Sequence, residues 1–150
     1  MSPMNISDWT TLLVDDEPDN LSVLELLLTF YDARVMSARS GQEALKLLAE
    51  HPFTLALVDI QMPGVSGWDI IKHIREHESR AVRTMFVVAV TAYAMAGDRE
   101  RVLSAGFDGY ISKPIDVTTF MRTLQVIVEA RQVPEATVQS PSIAGENNDR

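Results

Sequence analysis

The sequence predicts an α/β fold, a doubly wound five-stranded parallel sheet with helices on both faces. Three observations carry this. Five short apolar runs alternate with longer stretches whose apolar residues recur at helical spacing. Two of the runs, Thr54 to Val58 (TLALV) and Met85 to Val90 (MFVVAV), are apolar on successive residues, as expected for strands covered on both sides. The chain has 150 residues, enough for one domain with a sizeable core.

Taken in order, the strands are expected at Thr10 to Val14, Ala33 to Ala38, Thr54 to Val58, Met85 to Val90 and Asp108 to Ser112, the last being the weakest. Between them Leu21, Leu24 and Leu28 mark a first helix, and Ala44, Leu45 and Leu48 a second. Ile70, Ile71 and Ile74 mark a third, and Phe120, Leu124 and Ile127 a fifth. Pro18 suits the first turn of helix one. Ser40 with Glu43, and Ser66 with Asp69, read as capping boxes ahead of helices two and three. Asp116 is the candidate N-cap of helix five. The fourth helix, Met95 to Ala105, is the poorest, because Gly97 in its first turn costs about 1 kcal/mol relative to Ala. It is expected to be the most mobile of the five. From Gln132 the periodicity stops. The reading is therefore a domain over 9–131 followed by a disordered tail over 132–150, rich in Pro, Ser, Ala and Asn.

Composition excludes several function classes. The 13 Lys and Arg against 21 Asp and Glu give a net charge of −8, which opposes direct, sequence-independent nucleic-acid binding. There is no cysteine, so disulfides, thiolate zinc sites and cysteine nucleophiles are absent. No apolar run approaches the roughly 18 residues of a membrane span. Met1 to Trp9 lacks the basic and apolar regions of a signal peptide, so a soluble, cytoplasmic protein without membrane attachment is expected.

In an open α/β sheet, ligands bind beyond the carboxyl ends of the strands. Strand one ends in Asp15, Asp16 and Glu17, strand three in Asp59, strand four in Thr91, and strand five in Lys113 and Pro114. The topology gathers these onto one rim. Two carboxylates about 4 Å apart repel by roughly 4 kcal/mol at an effective dielectric near 20. A group of three therefore shifts a pKa or recruits a cation. With only oxygen ligands at hand the ion is a hard one, Mg2+ first and Mn2+ as the alternative.

These residues carry a resemblance. Asp15 and Asp16, the run D-I-Q-M-P-G-V-S-G from Asp59 to Gly67, Thr91 with Ala92, and Y-I-S-K-P from Tyr110 to Pro114 together resemble the receiver domain of two-component response regulators, over residues 9 to 131. The resemblance implies a flavodoxin-like sheet of order 2-1-3-4-5. It implies that Asp59 is the phosphoacceptor, and that Asp16, Asp59 and the backbone carbonyl of Gln61 bind Mg2+ with Asp15 acting through water. Thr91 and Lys113 would hold phosphoryl oxygens, and the Lys113–Pro114 bond is cis in such domains. Thr91 and Tyr110 would form the switch that reshapes the fourth helix, fifth strand and fifth helix. Tyr93 and the Gln61 side chain flank the phosphate in the family.

The implied protein is not an enzyme on other substrates, although it catalyses its own phosphorylation and slow autodephosphorylation. Its partners would be a sensor histidine kinase or histidine phosphotransfer protein and a downstream protein target. It would be a monomer or a phosphorylation-dependent dimer. The stretch from Thr91 to Asp116 is also similar to receivers attached to hybrid histidine kinases, so a stand-alone regulator and a module of a longer chain both stay open.

Plainer readings exist for each residue. Adjacent acids at a helix start complement its dipole. A lone lysine is usually solvated, a strand-end threonine is a β-branched strand residue, and an aromatic such as Tyr110 usually packs in a core. His51, His73 and His77 read as helix-surface histidines, and Trp68 as a half-exposed packing residue. Other functions compete as well. One is an interaction module that no longer takes phosphate. Another is a hydrolase of the haloacid dehalogenase type, for which Gln61 occupies the place of a required second Asp. A flavin carrier would need a phosphate-receiving loop where Asp15, Asp16 and Glu17 repel phosphate.

Overall fold

Helices cover both sides of a parallel sheet in a computed structural model that describes residues 5–92 and 97–132. The strands are β1 (Thr10–Val14), β2 (Arg34–Ala38), β3 (Leu55–Val58), β4 (Phe86–Thr91) and β5 (Gly109–Ser112). They lie in the order β2-β1-β3-β4-β5, with every neighbouring pair parallel. The helices are α1 (Pro18–Phe30), α2 (Gly41–Glu50), α3 (Gly67–Arg75), α4 (Arg80–Arg83), α5 (Asp98–Ser104) and α6 (Phe120–Gln132). A 3-10 turn, Ile6–Asp8, precedes β1.

The unbroken apolar runs are explained by two cores. Along β4, Val87 and Ala89 face the core shared with α2, α3 and α5, while Val88 and Val90 face the core shared with α1 and α6. β3 divides in the same way, Ala56 and Val58 to one side, Leu55 and Leu57 to the other. Strand side chains alternate between faces, so only a strand buried on both reads as continuously apolar. The edge strand β2 is half-exposed over most of its length.

Each strand lies within one residue of its expected bounds. The helix starts need more correction. The Ser66 and Asp69 box is complete, with Ser66 Oγ accepting from the Asp69 N–H and the Asp69 carboxylate accepting from the Ser66 N–H. At α2 the box is only half formed. Ser40 Oγ accepts from the Glu43 N–H at 3.1 Å, but the Glu43 carboxylate reaches one residue further upstream, to the Arg39 N–H at 2.8 Å. Gly97 does not sit in the first turn of the fourth expected helix; it precedes α5 as its N-cap, with φ +88°. That conformation favours glycine, so the residue that looks like a helix breaker is the one that lets the helix begin. Asp116 caps a turn ahead of α6, its carboxylate accepting from the Thr118 N–H and hydroxyl. The four-residue α4 is an addition to the expected set.

Tyr93, the expected start of the fourth helix at Met95, and 133–150 of the expected tail lie outside the described residues. Among the described residues no helix is long and apolar enough to cross a membrane. The strand order reverses between β1 and β3, which places a crevice at their carboxyl ends.

Candidate functional site

Main-chain hydrogen bonds carry the sheet one residue past β1, β3 and β5 and so fix the rim. The Asp15 N–H donates to the Ala38 carbonyl at 3.1 Å, the Asp59 N–H to the Val14 carbonyl at 2.9 Å, and the Lys113 N–H to the Thr91 carbonyl at 2.9 Å. The side chains that follow are therefore set by ladder geometry and not by loop conformation. Residues 44 and 54 positions apart in sequence meet here.

The carboxylates of Asp15, Asp16 and Asp59 each place an oxygen within 4.8 Å of the other two. Asp15 is 1% exposed and Asp59 5%, while Asp16 is the most open of the three. Lys113 reaches over them. Its Nζ stands 2.8 Å from Asp15 Oδ2, 3.1 Å from Asp59 Oδ2 and 3.8 Å from Glu17 Oε1. The remaining oxygens are held locally: Asp15 Oδ1 accepts from the Glu17 N–H at 2.9 Å, and Asp59 Oδ1 from the Gln61 N–H at 3.2 Å. Thr91 is fully buried at the end of β4, paired in register with Ser112, the residue before Lys113. Tyr110 pairs with Ala89 and is half-buried against the core of α2, α3 and α5. Residues paired or two apart in adjacent strands share a sheet face, so Thr91 and Tyr110 lie on the same one. The Lys113–Pro114 peptide is cis.

Burial pushes the Asp59 carboxyl above its ordinary range; the hydrogen bond and charge of Lys113 pull it down, and Asp15 pushes it up again. Burial works against the Lys113 ammonium, yet hydrogen bonds to Asp15 and Asp59 and their charges outweigh it, and its pKa is raised. The lysine stays charged across the physiological range. Tyr110 is raised as well, by burial and then by the charge of Asp98.

The loop behind Asp59 is tightly packed at two points. A Cβ on Gly67 would stand 2.7 Å from the Asp59 carbonyl oxygen, and one on Gly41 would overlap Val65. Between them the chain turns at Gly64 with φ +73°, a conformation that favours glycine. The Gly residues of the D-I-Q-M-P-G-V-S-G run thus have distinct tasks. One turns the loop, and the other lets α3 press against it.

The donor set fits a divalent cation. Four carboxylates, Asp15, Asp16, Glu17 and Asp59, gather around one ammonium and leave an excess of negative charge, and every candidate ligand is a hard oxygen. Gln61 is exposed beside Asp59, with its N–H turned to that carboxylate.

Two features escaped the sequence. Glu17 comes within 3.8 Å of the lysine, although the run of three acids gave it no separate role. Asp98 is 5% exposed and acts on Tyr110, although an acid in the first turn of a helix ordinarily signals only dipole complementarity. The histidines are unremarkable in position: His51 and His73 are exposed, and His77 Nδ1 accepts from the Ser79 N–H at 2.9 Å.

Residues 11–125 match the family described as the response regulator receiver domain. The chain is 40% identical over 116 residues to the polar-differentiation response regulator DivK of Brucella ovis, covering 77% of this chain and 93% of that one. Its identity to DivK of Brucella anthropi is 38% over the same length. Among solved structures it is similar to a CheY-like receiver domain protein from Methanospirillum hungatei, with TM-score 0.72, 26% identity and coverage of 83% and 96%. The chemotaxis response regulator CheY4 of Vibrio cholerae shares the fold, with TM-score 0.73, 23% identity and coverage of 79% and 98%.

Proposed function

This chain belongs to the response regulator receiver domain family, and from that premise we propose that it is a phosphorylation switch whose acceptor is Asp59. The observation that carries the reading is the buried Asp59 carboxylate, within ligand reach of Asp15 and Asp16 and bridged to Asp15 by Lys113.

In the proposed reaction a carboxylate oxygen of Asp59 attacks the phosphorus of a phosphohistidine on a sensor histidine kinase or histidine phosphotransfer protein. An O–P bond forms, the P–N bond breaks, and the departing imidazole keeps the bonding pair and takes up a proton. Lys113, held protonated by its two carboxylate partners, moves its hydrogen bond from Asp59 to the incoming phosphoryl oxygens. The Thr91 hydroxyl takes another. Mg2+, for which Asp16, Asp59 and the Gln61 carbonyl would be direct ligands and Asp15 one through water, supplies positive charge to the phosphoryl oxygens when bound. Burial raises the cost of an unpaired Asp59 charge, so the site gains from any partner that neutralises it.

The output follows from charge and size. Replacing a carboxylate by an acyl phosphate adds roughly one negative charge beside Lys113 and Thr91. Thr91 moves toward the new group, Tyr110 turns inward behind it, and the surface of α5, β5 and α6 changes for a downstream protein. The change is a shift of population, set by differential contacts in the two states. The protein acts as a signalling module in the cytoplasm and transforms no substrate besides its own phosphodonor.

Labelling with acetyl phosphate in the presence of Mg2+ tests the acceptor. The parent is expected to gain one phosphoryl group, read as a mass increase, and Asp59→Asn to gain none. Equal labelling of the two proteins would overturn the assignment.

A further inference from the structure

Of the three acids paired with Lys113, Glu17 alone opens to solvent. Its side chain is 67% exposed, whereas Asp15 and Asp59 are buried. Its carboxylate nevertheless reaches inward, with Oε1 3.8 Å from the Lys113 Nζ proposed to hold phosphoryl oxygens. Two local features aim it there. The Glu17 N–H donates to Asp15 Oδ1 at 2.9 Å and Pro18 follows directly, so its main chain is fixed to the rim. Asn20 Nδ2 then donates to Glu17 Oε1 from within the first turn of α1. An acid at a helix start ordinarily complements the dipole, and Asp19 already holds that place in the same turn.

Charge balance gives Glu17 its distinct part. With a divalent ion at the rim, the ion and the Lys113 ammonium together balance Asp15, Asp16 and Asp59. Glu17 is then the charge left over. The segment from Thr91 to Gly97, TAYAMAG, has no charged side chain to offset it. Phosphoryl transfer runs in line, so the leaving group departs opposite the attacking Asp59 oxygen. Asp59 is buried at the floor of the crevice, which directs that departure outward, past the exposed carboxylate of Glu17.

We infer that Glu17 is a specificity-determining residue of the transfer, favouring donors whose leaving atom is a protonated nitrogen over acyl phosphates, whose leaving group is an anion. The inference rests on the acceptor reading above. With a nitrogen donor the O–P bond to Asp59 forms as the P–N bond breaks, and the nitrogen leaves with the bonding pair and its proton. With an acyl phosphate the P–O bond breaks and a carboxylate departs with the pair, so negative charge builds beside Glu17. The repulsion of two unit charges about 7 Å apart in water corresponds to roughly a threefold change in rate, and salt weakens it.

The test compares phosphoramidate with acetyl phosphate at saturating Mg2+, with phosphorylation of the full chain followed by mass. Glu17→Gln keeps an acceptor for Asn20 and removes the charge. It is expected to raise the acetyl phosphate rate about threefold and to leave the phosphoramidate rate unchanged or lower. The shift in their ratio is expected to shrink in high salt. Asp19→Asn, exposed in the same turn, is expected to leave the ratio where it is. Calorimetric titration with Mg2+ reads the same charge without any transfer. Glu17→Gln is expected to bind the ion about two- to fivefold more weakly than the parent, and Asp19→Asn as the parent does. If the parent labels at Asp59, with Asp59→Asn as the blank, an unchanged ratio in Glu17→Gln refutes the inference alone. So does a shift that salt does not reduce, an equal shift in Asp19→Asn, or an unaltered Mg2+ affinity. Equal labelling of the parent and Asp59→Asn removes the acceptor reading and the inference with it.

Discussion

At the carboxyl ends of the strands three carboxylates share one ammonium, whereas at the amino ends two guanidinium groups share one carboxylate. The second cluster is densely hydrogen-bonded. Asp108 Oδ2 accepts from Arg75 at 2.8 Å, from Arg131 at 2.9 Å and from the Val87 N–H at 2.9 Å. Arg75 also donates to the carbonyls of Gly106, Arg83 and Met85, and Arg131 to those of Met85 and Thr84. The Arg131 guanidinium covers the Phe86 ring at 4.3 Å. This cluster ties α3, β4, β5 and α6 together through side-chain bonds to main-chain carbonyls and to Asp108. The rim cluster holds an excess of like charge in a buried place. The charged groups at the amino ends are tied to main-chain carbonyls and serve the fold, whereas the rim gathers like charges that could hold a metal ion.

Asp108→Ala breaks the cluster at the amino ends. It leaves two guanidinium groups and the Val87 N–H without their acceptor, and is expected to cost about 3 kcal/mol of stability in urea unfolding. Beryllofluoride binding by the folded protein should survive. A loss below 1 kcal/mol would show that this end of the sheet does not hold the fold together as its bonding suggests.

Addition of Mg2+ tests the other cluster. At a hundredfold excess over its Kd the ion is expected to stabilise the parent by about 2.7 kcal/mol, seen as a rise in Tm. Asp16→Asn should lose most of that gain and Asp108→Ala none of it. An equal gain in all three proteins would place the ion elsewhere.

The smallest effect concerns proton binding without metal. The folded-state pKa of Asp59 is raised, so its favourable contribution is present below about pH 3.8 and is lost as pH rises through the folded value. Above that range the ionised carboxylate weighs against the fold. Asp59→Asn is therefore expected to be more stable than the parent at pH 7, with the gap closing toward pH 4. Urea unfolding from pH 4 to pH 8 measures it. A parent more stable than the variant at pH 7 would mean that Lys113 overcompensates the buried charge.

The sheet was legible because its central strands are buried on both faces, and residues such as Val87 to Val90 then have no polar alternation to blur them. The rim was legible because polar residues ending apolar runs stand out: Asp15, Asp59, Thr91 and Lys113. The short α4 escaped because four residues, Arg80 to Arg83, are too few to show a helical period. Gly97 was misplaced because its helix-breaking cost is read without knowing its φ. The amino-end cluster escaped for another reason. Arg75 and Asp108 are 33 residues apart, Asp108 and Arg131 another 23, and nothing in a scattered Arg or Asp announces its partner. Only the folded topology pairs them.

The packing of Gly41 and Gly67 against the loop behind Asp59 has one further result. That loop works as an anvil. With main chain pressed directly on main chain, it would resist displacement if Asp59 took up the proposed phosphoryl group, and the strain would fall on the opposite side of the crevice.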